Sequence, residues 1–153
     1  DLRMSRGLGD VYKRQMATCA APSYLDKYGV PLTPDDLVHH KAVNFFSEHS
    51  REVMDWKYMM NGEIMSRRPG SNMLVNNSDV LLSCGLEGLG LVHALRTALE
   101  PHIQSGRLKE VLTDYAAVTK PVSVLYPDRR YLPSKVRVFI DWFCEVFARK
   151  YQE

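Results

Sequence analysis

Five histidines, three cysteines and one adjacent pair of aspartates are the residues of this chain that could do metal, acid–base or nucleophilic chemistry. Their spacing does not assemble them. His39 and His40 fall in one short helical stretch, His49 in a polar loop, His93 at the end of an apolar run and His102 in another short helix, and no pair has the spacing of a zinc or iron site. Cys19, Cys84 and Cys144 are odd in number and far apart, which suits buried, reduced thiols in the cytoplasm better than a disulfide framework. Asp35-Asp36 follows Thr33-Pro34, a helix-start signal in which Asp36 returns a hydrogen bond to the cap; that structural role displaces an acid–base one. A serine hydrolase needs G-x-S-x-G on a strand-to-helix turn, and Gly70-Ser71 and Ser83-Cys84-Gly85 do not supply it. Gly85, Gly88 and Gly90 have the composition of a phosphate loop but close a helix instead of opening one, so they serve the tight turn into the next strand. The expectation is a binder, not an enzyme, with no metal and no cofactor.

Residues that could bind are easier to place. The strand MLVN runs directly into NSDVLLSCGLEGLG, where Asn77 or Ser78 can cap a helix whose positive end Asp79 complements. In an open sheet the ligand crevice lies outside the carboxyl ends of parallel strands, where a helix N-terminus can meet an anion such as a carboxylate. Asn76, Asn77 and Ser78 occupy such an end, as do Phe46 and Ser47 after AVNFF, and His93 and Ala94 after LGLV. These seven form the candidate effector-binding set. For His93 two readings stay open: a satisfied histidine at a strand end, or a ring-nitrogen contact to the ligand.

The elements that must position these residues are short and alternate in type. MATCAAP reads as a strand, SYLDKYG as a helix closed by Gly29, LTPDDLVHH as a capped helix and AVNFF as a buried strand. MDWKYMM and EIMSRR flank Asn61-Gly62, the strongest short hairpin signal. In the next helix Val80, Leu81, Cys84 and Leu86 supply an apolar stripe. LGLVHAL, LKEVL and PVSVLY then read as strands, with RTALEPHIQSG as a helix before the second. Strand, helix, strand with short loops predicts a parallel, right-handed unit. From Pro133 onward Val136, Phe139, Ile140, Phe143 and Phe147 recur at helical spacing, an aromatic stripe of core type.

The 153 residues suffice for one well-buried core, and 45% hydrophobic with 25% charged residues is an ordinary globular composition. No apolar run approaches the roughly 18 residues of a membrane span. Residues 1–15 hold four of the 20 basic and two of the 18 acidic residues, so the net charge of +2 resides there and the body is neutral. A neutral body offers no stripe for DNA phosphates. The opening segment shows little periodicity, and its VYKRQ end resembles translated adapter sequence, so residues 1–15 are set apart as non-native or disordered.

Order and spacing of several pieces over residues 19–147 carry a family resemblance: APSYLDKYGVPLTPDDLVHHKAVNF, then WKY before the hairpin, LVNNSDVLLSCGLEGLGL, SGRLKEVL and YPDRRYLPSKVRVFIDWFCEVF. The chain resembles the effector-binding domain of LysR-type bacterial transcription regulators. The resemblance implies an α/β, periplasmic-binding-protein-like (type 2) fold: residues 16–126 as a second lobe with a mixed sheet flanked by helices, and 127–153 as a C-terminal helix returning from the first lobe. It further implies a small-molecule effector in an interlobe cleft, a cytoplasmic homo-oligomer, and promoter DNA bound through an N-terminal helix-turn-helix not found in these residues. One departure is His93-Ala94-Leu95, where the family often has a proline. Two alternatives remain. A solute-binding protein of the same fold would be favoured by an upstream signal peptide and excluded by an upstream helix-turn-helix. An enzyme of porphobilinogen-deaminase-like or prephenate-dehydratase-like shape would need catalytic groups converging in the crevice.

Overall fold

The computed structural model describes residues 13–48, 51–115, 120–121 and 133–151. The chain divides into two compact units, Gln15–Thr119 and a second made of Asp1–Arg14 with Lys120–Glu153. In chain order the described strands and helices are β1 (Lys13–Arg14), β2 (Met16–Ala20), α1 (Pro22–Tyr28), β3 (Lys41–Ser47), β4 (Glu52–Val53), β5 (Trp56–Met60), β6 (Glu63–Arg67), β7 (Gly70–Val75), α2 (Ser78–Leu86), β8 (Val92–Leu95), α3 (Arg96–Gln104), β9 (Lys109–Val111), β10 (Lys120–Pro121) and α4 (Ser134–Tyr151), with a 3₁₀ helix at Pro34–His39.

The first unit is built on a mixed sheet. β2 lies between β8 and β9, antiparallel to both, while β3 lies parallel to β7 and pairs its last residues antiparallel with β4. Leu91 joins the two pieces: it bridges Ala42 in parallel, its N–H donates to Lys41 O at 2.9 Å, and its carbonyl accepts from Val43 N–H at 3.0 Å. Each strand alternates its side chains between two cores. Ala42 and Leu91 face the layer of Tyr24, Leu37, Trp56 and Tyr58, whereas Val43 and Val92 face Leu81, Cys84 and Leu99 of α2 and α3. The parallel unit expected from β7, α2 and β8 is thus corrected in one respect. β7 and the Leu91 segment each run parallel to β3, which lies between them, and β8 itself pairs with β2.

Local chemistry explains the connecting elements. Gly29, at φ +82°, ends α1 and donates its N–H to Leu25 O. Tyr24, on α1, takes the Lys41 N–H at 2.9 Å and donates to Lys41 O at 3.1 Å, fixing the entry to β3. The stretch expected as a capped helix is one of 3₁₀ type, six residues long, because His40 must already be extended to feed β3. Its Asp36 carboxylate accepts from the N–H groups of Thr33 at 2.8 Å and Leu32 at 2.9 Å, and these bonds hold it below the usual carboxylate range. At Asn61 (φ +52°) and Gly62 (φ +81°) both central residues are left-handed, the conformation an Asn-Gly hairpin turn requires. On β5, Trp56 and Tyr58 turn inward and Lys57 outward.

On α2, Leu81, Cys84 and Gly85 face the sheet, and Val80, expected in that stripe, is 47% exposed because it sits one residue off the buried row. Gly85 has a packing reason, since a Cβ there would stand 2.8 Å from Val92 Cγ1. Cys19 and Cys84 are buried free thiols, as read from the sequence; burial, with Glu110 adding to it, pushes the Cys19 thiol up to about 12 and makes it inert.

In the second unit β1 pairs antiparallel with β10. The opening segment set apart as non-native falls outside the described residues over 1–12, while Lys13 and Arg14 form β1 and the Gln15 carbonyl accepts from Arg96 N–H. The strand expected over Pro121–Tyr126 is described only at Pro121. On α4, Ile140 is buried, whereas Val136 and Phe139, also expected in the stripe, are exposed. Phe143 is half-buried, and the side chain of Phe147 lies outside the described residues.

Candidate functional site

Because β3 and β7 are parallel, with Phe45 level with Val75, their carboxyl ends lie side by side. Phe46 and Ser47 end β3 half-buried, and Asn76, Asn77 and Ser78 follow β7 exposed. Asn76 Nδ2 donates to the Glu48 carboxylate, tying the two strand ends together. Asn77 is the cap of α2: its Oδ1 accepts from Asp79 N–H at 2.8 Å and Val80 N–H at 3.1 Å. Those two donors are therefore committed within the chain, and Ser78, the first residue of α2, is exposed. Asn77→Ala is expected to lower stability by about 1 kcal/mol in urea unfolding; a change within experimental error would mean the cap bonds contribute nothing.

His93 and Ala94, expected at the crevice end of the strand LGLVHAL, lie inside β8, paired with Thr18 and Ala17. The strand runs on because β2 offers it an antiparallel edge as far as Leu95, a partner far away in the sequence. The His93 ring meets residues that sequence reasoning did not single out. Its Nδ1 is 2.9 Å from Thr18 Oγ1, which is 2.7 Å from the Tyr58 hydroxyl, and Trp56 stacks on the ring with centroids 5.2 Å apart. Burial raises the Tyr58 phenol well above its usual range, against a smaller opposing effect of the Thr18 bond. Period-two alternation in WKY would have placed Trp56 and Tyr58 on one face, but nothing local names His93 as what they cover. Just past β8, Arg96 pairs with Glu110 at 2.5 Å and Glu100 at 3.3 Å. Among the described residues no group of three or more His, Cys, Asp or Glu side chains could hold a metal ion, and no helix is long and apolar enough to cross a membrane.

Comparison with known proteins bears on the fold and the family. The family model for the LysR substrate binding domain matches residues 9–148. The chain is 34% identical over 143 residues to the HTH-type transcriptional regulator YhjC of Escherichia coli, covering 94% of this chain and 47% of that protein. It is 30% identical over 145 residues to an HTH-type transcriptional repressor of Pseudomonas aeruginosa, covering 95% and 45%. The chain thus spans about half the length of the curated relatives it matches. Among solved structures, full-length AphB of Vibrio cholerae, described as a virulence activator of the LTTR family, superposes with a TM-score of 0.74 at 22% identity, over 94% of this chain and 49% of that one. The regulatory domain of CrgA from Neisseria meningitidis, a LysR-type transcriptional regulator, gives 0.70 at 23% identity, over 88% and 65%. The α/β, type 2 periplasmic-binding-protein-like architecture is shared with these regulatory domains, and the chain belongs to the LysR substrate-binding domain family.

Proposed function

We propose that this chain is the effector-sensing part of a LysR-type transcription regulator, binding a small molecule whose occupancy controls promoter binding by the longer protein. The family match over residues 9–148 carries the reading. In it the chain binds and does not catalyse, acts in the cytoplasm as part of a homo-oligomer, and reaches DNA through a helix-turn-helix outside these residues. Phe46, Ser47, Asn76, Asn77 and Ser78 form the rim that meets the ligand, and His93 and Ala94 contribute from β8. The adjacency of the β3 and β7 ends supports that placement, since ligands of open α/β sheets sit outside strand carboxyl ends. A carboxylate is one chemistry that suits the start of α2.

The intact regulator should gain thermal stability from one or more members of a small-metabolite library. Ser78→Trp fills the rim from an exposed position and leaves the Asn77 cap in place. It is expected to abolish the ligand-induced shift while changing the ligand-free melting temperature little. A full shift retained in Ser78→Trp would remove the start of α2 from the site.

A further inference from the structure

Among the described residues, Asn44 Oδ1 is the buried side-chain polar atom that has no hydrogen-bond partner, in a residue only 1% exposed. Thr18, the other buried polar residue among them, is bonded twice. Turning the Asn44 amide over does not cure the defect. Its Nδ2 donates to Pro69 O at 3.5 Å, and the reversed group would set Oδ1 against that carbonyl oxygen, acceptor to acceptor. A bond so long contributes little, whereas an unpaired buried acceptor carries its whole desolvation cost. A leucine of similar volume would escape that cost, so the fold by itself has no use for an amide here. The place of Asn44 on its strand supplies one. Val43 and Phe45 of β3 pack toward Leu81 and Cys84 of α2, and by alternation Asn44 and Phe46 face the other way. Asn44 is thus the next residue inward from Phe46 on the same face, directly behind a half-buried side chain of the rim.

We propose that Asn44 is an effector-contacting residue, its Oδ1 accepting a hydrogen bond from an O–H or N–H group of the effector. The proposal rests on the reading of the β3 and β7 ends as the effector rim given above. The donor reaches Oδ1 past Phe46, and the effector class selected carries a hydroxyl, amine or amide at the end it inserts. A molecule that presents only hydrogen-free groups there leaves the acceptor unpaired and binds more weakly.

Thermal shift on the intact regulator tests this with matched probes: hydroxycarboxylates beside their deoxy counterparts, and carboxamides beside the methyl ketones of the same skeleton. At least one donor-bearing probe is expected to stabilise the unmodified regulator at roughly tenfold lower concentration than its partner, the worth of one hydrogen bond to a buried acceptor. Asn44→Leu is expected to erase that preference while melting, without probe, at or above the unmodified temperature. Asn44→Asp keeps an acceptor oxygen and should keep the preference. A preference that survives in Asn44→Leu overturns the proposal. So does an Asn44→Leu protein that folds but melts well below the unmodified one, because the amide then serves the fold, as it would by holding an internal water. If Asn44→Leu does not fold, Asn44→Ala carries the comparison of probes. Shifts that ignore the donor count against Asn44 alone, whereas no shift from any probe counts against the proposed function, and this proposal falls with it.

Discussion

Leu91→Ala is expected to lower the unfolding free energy of the Gln15–Thr119 unit by about 2–5 kcal/mol, the range for truncating a fully buried leucine. Leu91 is 0% exposed and packs in the core with Tyr24, Ala42 and Trp56. Its main chain also makes the two hydrogen bonds that join β3 to the strand set of β2, β8 and β9. The neighbouring position shows how little slack exists there, since a Cβ on Gly90 would stand 2.9 Å from the Lys41 carbonyl oxygen. The cavity left by truncation therefore sits at a backbone junction that has little freedom to collapse around it. With domain stabilities of roughly 5–15 kcal/mol, such a loss is large enough to unfold much of the unit near 37 °C. Urea unfolding followed by circular dichroism measures it, and a loss below about 1 kcal/mol would mean that the junction is not where the sheet is held.

What could be read from the sequence divides along a physical line. Features set by a few adjacent residues were legible: the left-handed pair Asn61-Gly62, the Asn77 cap of α2, Gly29 closing α1 and the Asp36 return bond. The placement of Phe46–Ser47 and of Asn76–Ser78 at strand carboxyl ends was legible too, but not that those two strands, β3 and β7, lie side by side. Features set by distant pairing were not. The register that matches Thr18 with His93 spans most of the unit, and it is this register that draws His93 and Ala94 into β8 and brings Tyr58 to the ring. The order in which β3 separates β7 from β8 is equally a property of the whole sheet, invisible to a reading that takes neighbouring elements as neighbouring strands. Val80 failed for a smaller reason. An apolar residue one step from the buried row of a helix satisfies the composition of a stripe without satisfying its geometry.

The purified 153-residue chain is expected to self-associate, and α4 is the reason. Of the aromatic stripe read from the sequence, Val136 and Phe139 are 39% and 58% exposed and Ile140 is buried at 6%, while Val138, Trp142 and Val146, outside that stripe, are 67%, 55% and 42% exposed. Phe139 lies against Trp142 at 5.9 Å and Phe143 at 6.2 Å between ring centroids, so the apolar groups form a continuous patch along the helix. A half-exposed aromatic side chain has on the order of 100 Å² left to bury, worth roughly 2–3 kcal/mol. Two copies meeting through such patches gain on the order of 10 kcal/mol, which competes with an association cost of about 4–15 kcal/mol. That balance leaves at most about 6 kcal/mol, which corresponds to association at tens of micromolar or above and not to a tight dimer. Light scattering across a concentration series should show a mass that rises with concentration, and the double variant Phe139→Lys, Trp142→Lys should scatter as a monomer throughout. An unmodified chain that stays monomeric at hundreds of micromolar would contradict the argument. Association unchanged by the double variant would place the contact on another surface.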